Sequence, residues 1–479
     1  MLGLIPATAT KRNLLLCITL LGGLLAGAWL FFVPENANLF HGMVVLDPLT
    51  RLVKVAVLVL SLITAVFAVG SNVREHFGEY LALILFSTIG MMLLAGTEDL
   101  LMIFIALEMT SIPLYVLTGY LKRSSASAEA ALKYFLIGGV SAAFLLFGLS
   151  LIYGVTGSTS LHDLGGMSRD AALDPLLLAG VVMAMVGFGF KVAAVPFHLW
   201  APDVYEGAPT STAALIASGS KVAGFLILAK LLTFGFAAAD GNAGWAQMLP
   251  GWLPLLAILA TASVVVGNLA ALSQSNVKRI LAYSAIAQSG YMLIGLTAAG
   301  KNGVSSVVFY VIVYALTTLG AFGVVSLVEQ RRGGSQLHHF QGLHKSAPGL
   351  AFCMGVFMIS LAGIPPLAGF IGKFYLFASA LGSASSNGNL PLLWIIVLAV
   401  AFNAVSLYYY LIVLKHIFVI PSSVESAAPE PRSATSTLVG LLALAVFVLG
   451  LYPSLLLEPI SSAYTSAVKF SIKSGSAMR

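Results

Sequence analysis

The sequence predicts an all-α, polytopic membrane protein, a bundle of about 13 transmembrane helices. Two observations lead there. First, 59% of the residues are hydrophobic and only 9% are charged, where a soluble domain carries roughly a quarter charged. Second, 13 apolar segments reach the roughly 20 residues that cross a bilayer core, and no stretch between them is long enough for a large soluble domain. Lipid offers the backbone no hydrogen bonds, so a spanning chain must be helical or a closed barrel, and runs of this length mean helices.

The segments cover 13–33, 48–70, 79–96, 100–120, 130–155, 175–197, 210–237, 252–273, 279–298, 303–327, 349–381, 390–418 and 436–458. The first follows Lys11-Arg12, spans fully and lacks a small-residue cleavage site, so it reads as a retained anchor. The longest connections fall near 156–174, 328–348 and 419–435, the last containing "SSVESAAPEPRSATS", which reads as flexible. Cys17 and Cys353 lie far apart in apolar segments and read as packing residues.

The net charge of +6 follows membrane topology. No basic helix with interleaved aromatics suggests nucleic acid. Counting alternate loops, one side collects Lys11, Arg12, Arg74, Lys122, Arg123, Lys278, Arg279, Arg331, Arg332, Lys345, Lys415 and Arg432. The other holds mainly Arg169, Lys301 and the tail residues Lys469, Lys473 and Arg479. The basic side is expected to be cytoplasmic, which puts the N-terminus inside and the C-terminus outside.

Segment 175–197 is interrupted at Pro196 and segment 349–381 at Pro365-Pro366, and each carries one intramembrane lysine, Lys191 or Lys373. The two segments lie five apart, so their orientations are opposite. Matched broken segments point to an inverted repeat with its site at the breaks. Pro196 removes the donor that would reach the carbonyl of Val192, and Pro365 and Pro366 likewise free those of Leu361 and Ala362. A kink that serves packing alone is common at one site and less expected at two matched sites with lysines.

Glu108, Lys191, Lys221 and Lys373 fall well inside spans. A central lysine costs about 2.5–3.5 kcal/mol even on the lenient insertion scale. Desolvation disfavours the ammonium and a nearby carboxylate favours it, so a lysine between these influences can take up and release a proton. One glutamate among several lysines therefore suggests a proton wire, with static salt bridges as the plainer alternative. Lys133 and Lys230 lie near span ends, where snorkelling is an equal alternative.

Other signals are weaker. His338, His339 and His344 read as a solvated loop, and no metal site is expected. His198, two residues beyond Pro196, is either an accessory relay or a structural hydrogen-bonder. "GFIGK" at 369–373 lacks phosphate-loop spacing. No dinucleotide fingerprint, iron–sulfur cysteine set or haem motif is present, so no cofactor of the chain's own is expected.

"KVAAVPFHLWAPDVYEGAPT", "GNLAALSQSNVKRILAYSAIAQSGYMLIG" and "SLAGIPPLAGFIGKFYLF" closely resemble the subunit N family of bacterial NADH:quinone oxidoreductase, respiratory complex I. The likeness covers nearly the whole chain beyond about residue 40. The resemblance implies two inverted five-helix repeats, each with a broken helix, over 79–237 and 252–418, flanked by N-terminal spans in 1–78 and a C-terminal span and tail in 436–479. It implies that Glu108 and Lys191 form the input-side pair, Lys221 a central relay and Lys373 the output-side carrier, with Glu129 and Lys133 of "AEAALKYF" also matching. NADH, FMN, iron–sulfur clusters and quinone are then expected in other subunits, M-like and K-like membrane subunits as neighbours, and the bacterial inner membrane as the location. The family usually has 14 spans with both ends outside; this chain reads as lacking the first. A cation/proton antiporter subunit is the alternative function, and a membrane spacer with static charges a third.

Overall fold

The computed structural model describes all residues except 1–8, 41, 71, 72, 74, 75, 169–172, 244–248, 299, 387–392, 422–432, 478 and 479. Arg74, Arg169, Arg432, Arg479 and most of the 419–435 loop lie outside the described residues. The chain is a helix bundle, and among the described residues eleven helical spans are long and apolar enough to cross a membrane. In chain order, the described helices of seven residues or more are α1 (Ala9–Phe32), α2 (Pro48–Gly70), α3 (Phe77–Gly96), α4 (Leu100–Thr118), α5 (Ser125–Thr156), α6 (Pro175–Val192), α7 (Ala201–Gly207), α8 (Thr210–Ala217) and α9 (Gly219–Lys230). They continue as α10 (Trp252–Leu272), α11 (Val277–Leu296), α12 (Lys301–Arg332), α13 (Pro348–Ala362), α14 (Ala368–Ser386), α15 (Leu393–Phe418), α16 (Ala434–Leu451) and α17 (Ser454–Ala477).

Each of the 13 expected segments contains helix. Two fall short of a membrane-length apolar helix for physical reasons: α11 carries Lys278, Arg279, Gln288 and Ser289, and 349–381 is split into α13 and α14. A short antiparallel hairpin, Ala37–Leu39 with Val44–Leu46, was not expected, since three-residue strands carry no usable periodicity.

Polarity does not separate core from rim in lipid; contact does. The span Thr210–Gly235 is buried throughout and α12 nearly so, whereas α1 buries little of its surface. α12 packs against α2, α8, α9, α11, α13, α14, α16 and α17, so it is the bundle's axis. Small residues allow close approach. A Cβ on Gly148 of α5 would stand 2.6 Å from the carbonyl oxygen of Gly180 in α6, and one on Gly180 would stand 2.9 Å from that of Gly148.

The two breaks share one geometry. α6 ends with Ala193 in the left-handed region (φ 57°), the Ala194 N–H donating to Gly189 O at 2.8 Å and the Ala193 N–H to Phe190 O at 3.0 Å. α13 ends with Gly363 at φ 77°, Ile364 donating to Ile359 O at 3.2 Å and Gly363 to Ser360 O at 3.0 Å. Both are Schellman stops. Both are followed by a cis proline bond, Val195–Pro196 and Pro365–Pro366. The helix has therefore already stopped three residues before the proline.

Aligning Ala193 with Gly363 refines the expected repeat. Lys191 then matches Leu361, while Lys373, ten residues beyond Gly363, matches Asp203. The lysines lie on opposite sides of their breaks.

Ala193 adopts a backbone conformation that costs an L-residue about 1–2 kcal/mol, against about 0.5–1 kcal/mol of extra chain entropy for glycine. Ala193→Gly is expected to stabilise the fold by up to about 1 kcal/mol, read as a raised unfolding temperature in detergent.

Candidate functional site

The breaks expose carbonyls that lipid cannot satisfy, and side chains from the facing helix meet them. Ser289 of α11 donates to Val192 O at 2.6 Å. Its neighbour Gln288 donates to Leu361 O at 3.1 Å. One helix thus reaches both breaks with adjacent residues.

Two of the four central ionisable residues, Lys221 and Lys373, stand against this helix, while Lys191 and Glu108 meet at α4. Lys191, 4% exposed, donates to Ser111 Oγ of α4 at 3.1 Å. Lys221, 2% exposed, donates to Ala285 O at 2.5 Å and to Ser289 Oγ at 2.7 Å, and stands 5.3 Å from the centre of the Tyr314 ring. Lys373, 3% exposed, donates to Leu361 O and Asn403 Oδ1, both at 2.6 Å, and stands 5.1 Å from the centre of the Tyr291 ring. Lys373 therefore binds a break carbonyl directly, that of Leu361, the residue in Lys191's equivalent position, while Lys221 binds the unbroken α11 and reaches the first break through Ser289.

Glu108 is half-buried on α4. Among the described residues it makes no ion pair within 4.0 Å, yet it shares a cavity of about 20 Å³ with Lys191, Ser111 and Ser141. That volume accommodates about one water. Around Gln288 the polar chain continues: Tyr310 Oη donates to Gln288 Oε1 at 2.5 Å, Gln288 donates to Tyr410 Oη at 3.2 Å, and Tyr410 and Ser284 hydroxyls meet at 2.5 Å.

Sequence reasoning did not name Ser111, Gln288, Ser289, Tyr310, Tyr410 or Asn403. The legible signal was "AIAQSGYM" (285–292), which places an amide and a hydroxyl inside an apolar span.

The remaining candidates lie elsewhere. Lys133 pairs with Glu129 and with Asp203, each at 2.6 Å, on the surface. Arg279 completes that network, 2.8 Å from Asp203 and 3.0 Å from Glu206. His198 is buried in the α6–α7 break, and its Nδ1 has no partner among the described residues. Lys230 does not snorkel. It is buried, 3.3 Å from Asp47, 3.4 Å from Glu98 and 3.0 Å from Thr50 Oγ1. No group of three or more potential metal ligands occurs among the described residues.

This contrast sorts the lysines. Lys230 has anionic partners, so removing its proton would strand the buried Asp47 carboxylate beside the partly exposed Glu98. Among the described residues, Lys191, Lys221 and Lys373 donate only to neutral acceptors, so a proton can leave without stranding a counter-charge in contact.

Residues 97–403 match the family model described as NADH:quinone oxidoreductase/Mrp antiporter, TM. NADH-quinone oxidoreductase subunit N 2 of Acidobacterium capsulatum is 45% identical over 461 residues, covering 94% of this chain and 92% of the relative. A chain of respiratory complex I from Thermus thermophilus, solved with bound aureothin, is 35% identical with a TM-score of 0.77, covering 93% of this chain and 94% of the other. A chain of the membrane-bound sulfane sulfur reductase, an archaeal respiratory membrane complex, is 26% identical with a TM-score of 0.83, covering 97% and 94%.

The surface network makes a pH prediction. Burial raises the Asp203 carboxyl's pKa, but hydrogen bonds and charge from Lys133 and Arg279 outweigh it and hold it below its ordinary 3.8. Its contribution is therefore fully present above about pH 3.8 and lost as pH falls through the depressed value. Asp203→Asn is expected to lower thermal stability at neutral pH. The gap from the unchanged protein should close in acid, as a pH series of unfolding temperatures checks.

Proposed function

Since the chain belongs to the NADH-quinone oxidoreductase subunit N family, within the wider group whose model is shared with Mrp antiporters, we propose that it moves protons across the membrane through Glu108, Lys191, Lys221 and Lys373. The observation that carries this reading is the neutral hydrogen-bond shell of three buried lysines, two of them on carbonyls or hydroxyls at the helix breaks. Such amines change protonation when a neighbour's charge changes. Glu108 and Lys191 share a water-sized cavity and form the input-side pair; Lys221 relays at the centre; Lys373 releases. Ser289 and Gln288 couple the two breaks, because each holds a freed carbonyl near a lysine.

The chain contributes no redox chemistry in this reading. NADH oxidation, FMN, iron–sulfur clusters and quinone reduction belong to other subunits, which drive the lysines through conformation and electrostatics. M-like and K-like membrane subunits are the neighbours, and Glu108's partial exposure suits an interface with one of them. The membrane is the bacterial inner membrane, with the basic end facing the cytoplasm, the N-terminus inside and the C-terminus outside. Contacts support that grouping of basic loops at one end: Arg12 bonds Val69 O, Tyr120 Oη bonds His76 O at 2.7 Å, and Lys278 meets Glu329 at 3.2 Å. Autonomous cation/proton antiport fits less well, because relatives covering most of the chain carry the name subunit N.

In the assembled complex, Lys191→Ala or Glu108→Ala is expected to slow NADH-driven proton movement and quinone reduction by about tenfold or more, below the full ~10²–10⁴ worth of a positioned proton carrier. Normal rates in both assembled variants would sink the path. Lys230→Met is expected to act differently, destabilising the fold by about 3–5 kcal/mol through its stranded carboxylates. Unfolding temperature separates the two effects.

A further inference from the structure

Lys221 is buried at the centre, so a proton path needs an entrance. At the basic end of the bundle lies a cavity of about 250 Å³, lined by Glu206, Thr210, Lys278, Ser326 and Glu329 among others. Lys278 is buried and stands 3.2 Å from Glu329, while the Thr210 hydroxyl donates to the same carboxylate. Glu329 remains partly exposed, so it meets both solvent and this buried pair.

Two helix faces lead inward from the cavity. Thr210 of α8 and Lys221 of α9, on either side of the non-helical Ser218, face the same two helices. Their contacts agree: Thr210 meets Lys278 and Glu329 of α11 and α12, and Lys221 meets Ala285, Ser289 and the Tyr314 ring of the same helices. On α12, Tyr314, Thr318, Phe322, Ser326 and Glu329 recur every three or four residues and share a face. The rise from Glu329 to Tyr314 is about 22 Å.

Along this face lie buried hydroxyls poor in partners, with Tyr314 and Thr318 near each other but without good hydrogen-bond geometry. Tyr314 Oη and Thr318 Oγ1 make no hydrogen bond of good geometry with any described residue, and neither does Tyr205 Oη. The Tyr205 ring packs 5.7 Å from that of Phe322, one turn from Thr318. An unpaired buried hydroxyl costs about 1–3 kcal/mol, and folded proteins ordinarily meet such groups with ordered water. Here three lie between an open polar cavity and a buried amine.

We infer that this face of α12 is the proton-uptake track for Lys221, with Glu329 as its collecting group and water held by Thr318, Tyr314 and Tyr205 as its conductor. The inference rests on the proton-path reading above. A solvent proton binds the Glu329 carboxylate; a proton then passes along the held water to the Lys221 amine, leaving Glu329 ionised and Lys221 as ammonium. The Phe322–Tyr205 contact is the dry point of the track, where water must be excluded or admitted.

Tyr314→Phe with Thr318→Val tests it, because the pair of changes removes both neighbouring hydroxyls together with little change of shape. A purely structural role makes them neutral or stabilising. Conduction makes them slow. NADH-driven proton movement by the complex in proteoliposomes is expected to fall as far as in Lys221→Ala, with unfolding temperature unchanged, and Thr318→Ser is expected to keep the rate. Glu329→Gln, at the solvent-exposed entrance, is expected to slow the same movement. Unchanged rates in the double variant and in Glu329→Gln, with Lys221→Ala slow, overturn the track alone. Unchanged rates in Lys221→Ala as well overturn the proton path itself. Should the double variant fail to assemble, Tyr314→Phe by itself carries the same expectation and the same refutation.

Discussion

Inside hydrocarbon, a carbonyl that loses its helical donor must find another donor within the protein. The structure around residues 193 and 363 follows from that requirement. Each Schellman stop satisfies part of its helix end and leaves a carbonyl open, Val192 in one case and Leu361 in the other. Ser289, Gln288 and Lys373 supply the missing donors. The buried α11 must therefore be polar in mid-membrane, and its neighbours must be close enough to exclude lipid from it. The all-round burial of α12 and of the span Thr210–Gly235 is the packing consequence.

The same constraint distinguishes charges that hold from charges that move. Lys230 is fixed by Asp47 and Glu98, and the cluster ties the far end of α9 to the segments flanking α2 and α3. The lysines near the breaks face dipoles: hydroxyls, carbonyls and an amide. Dipoles stabilise an ammonium without requiring it, so these amines tolerate both protonation states. A membrane bundle built only of ion pairs would be stable and electrically inert.

Much of the fold was legible beforehand. Each apolar run proved to contain helix, and the prolines marked both interrupted helices. The central lysines were visible because charge is scarce in this composition. The equivalence of Lys191 and Lys373 was misleading, since segment-level matching cannot tell which side of a break a residue occupies. Lys230 was ambiguous for a related reason: proximity to a span end leaves snorkelling and burial equally open. Ser289 and Gln288 were passed over because single polar residues are frequent in membrane helices and carry meaning only opposite an open carbonyl.

The sequence by itself determined the solvent, the positions of the apolar helical segments and the identity of the costly charges. Each of these depends on local transfer free energy, which is a property of residues and run lengths. Tertiary structure decided which carbonyl meets which donor, which lysine faces an anion and which faces a dipole, and which hydroxyls of α12 stay unpaired. Those outcomes depend on distances between helices remote in the chain, such as the 97 positions separating Val192 from Ser289, and no local pattern encodes such a distance.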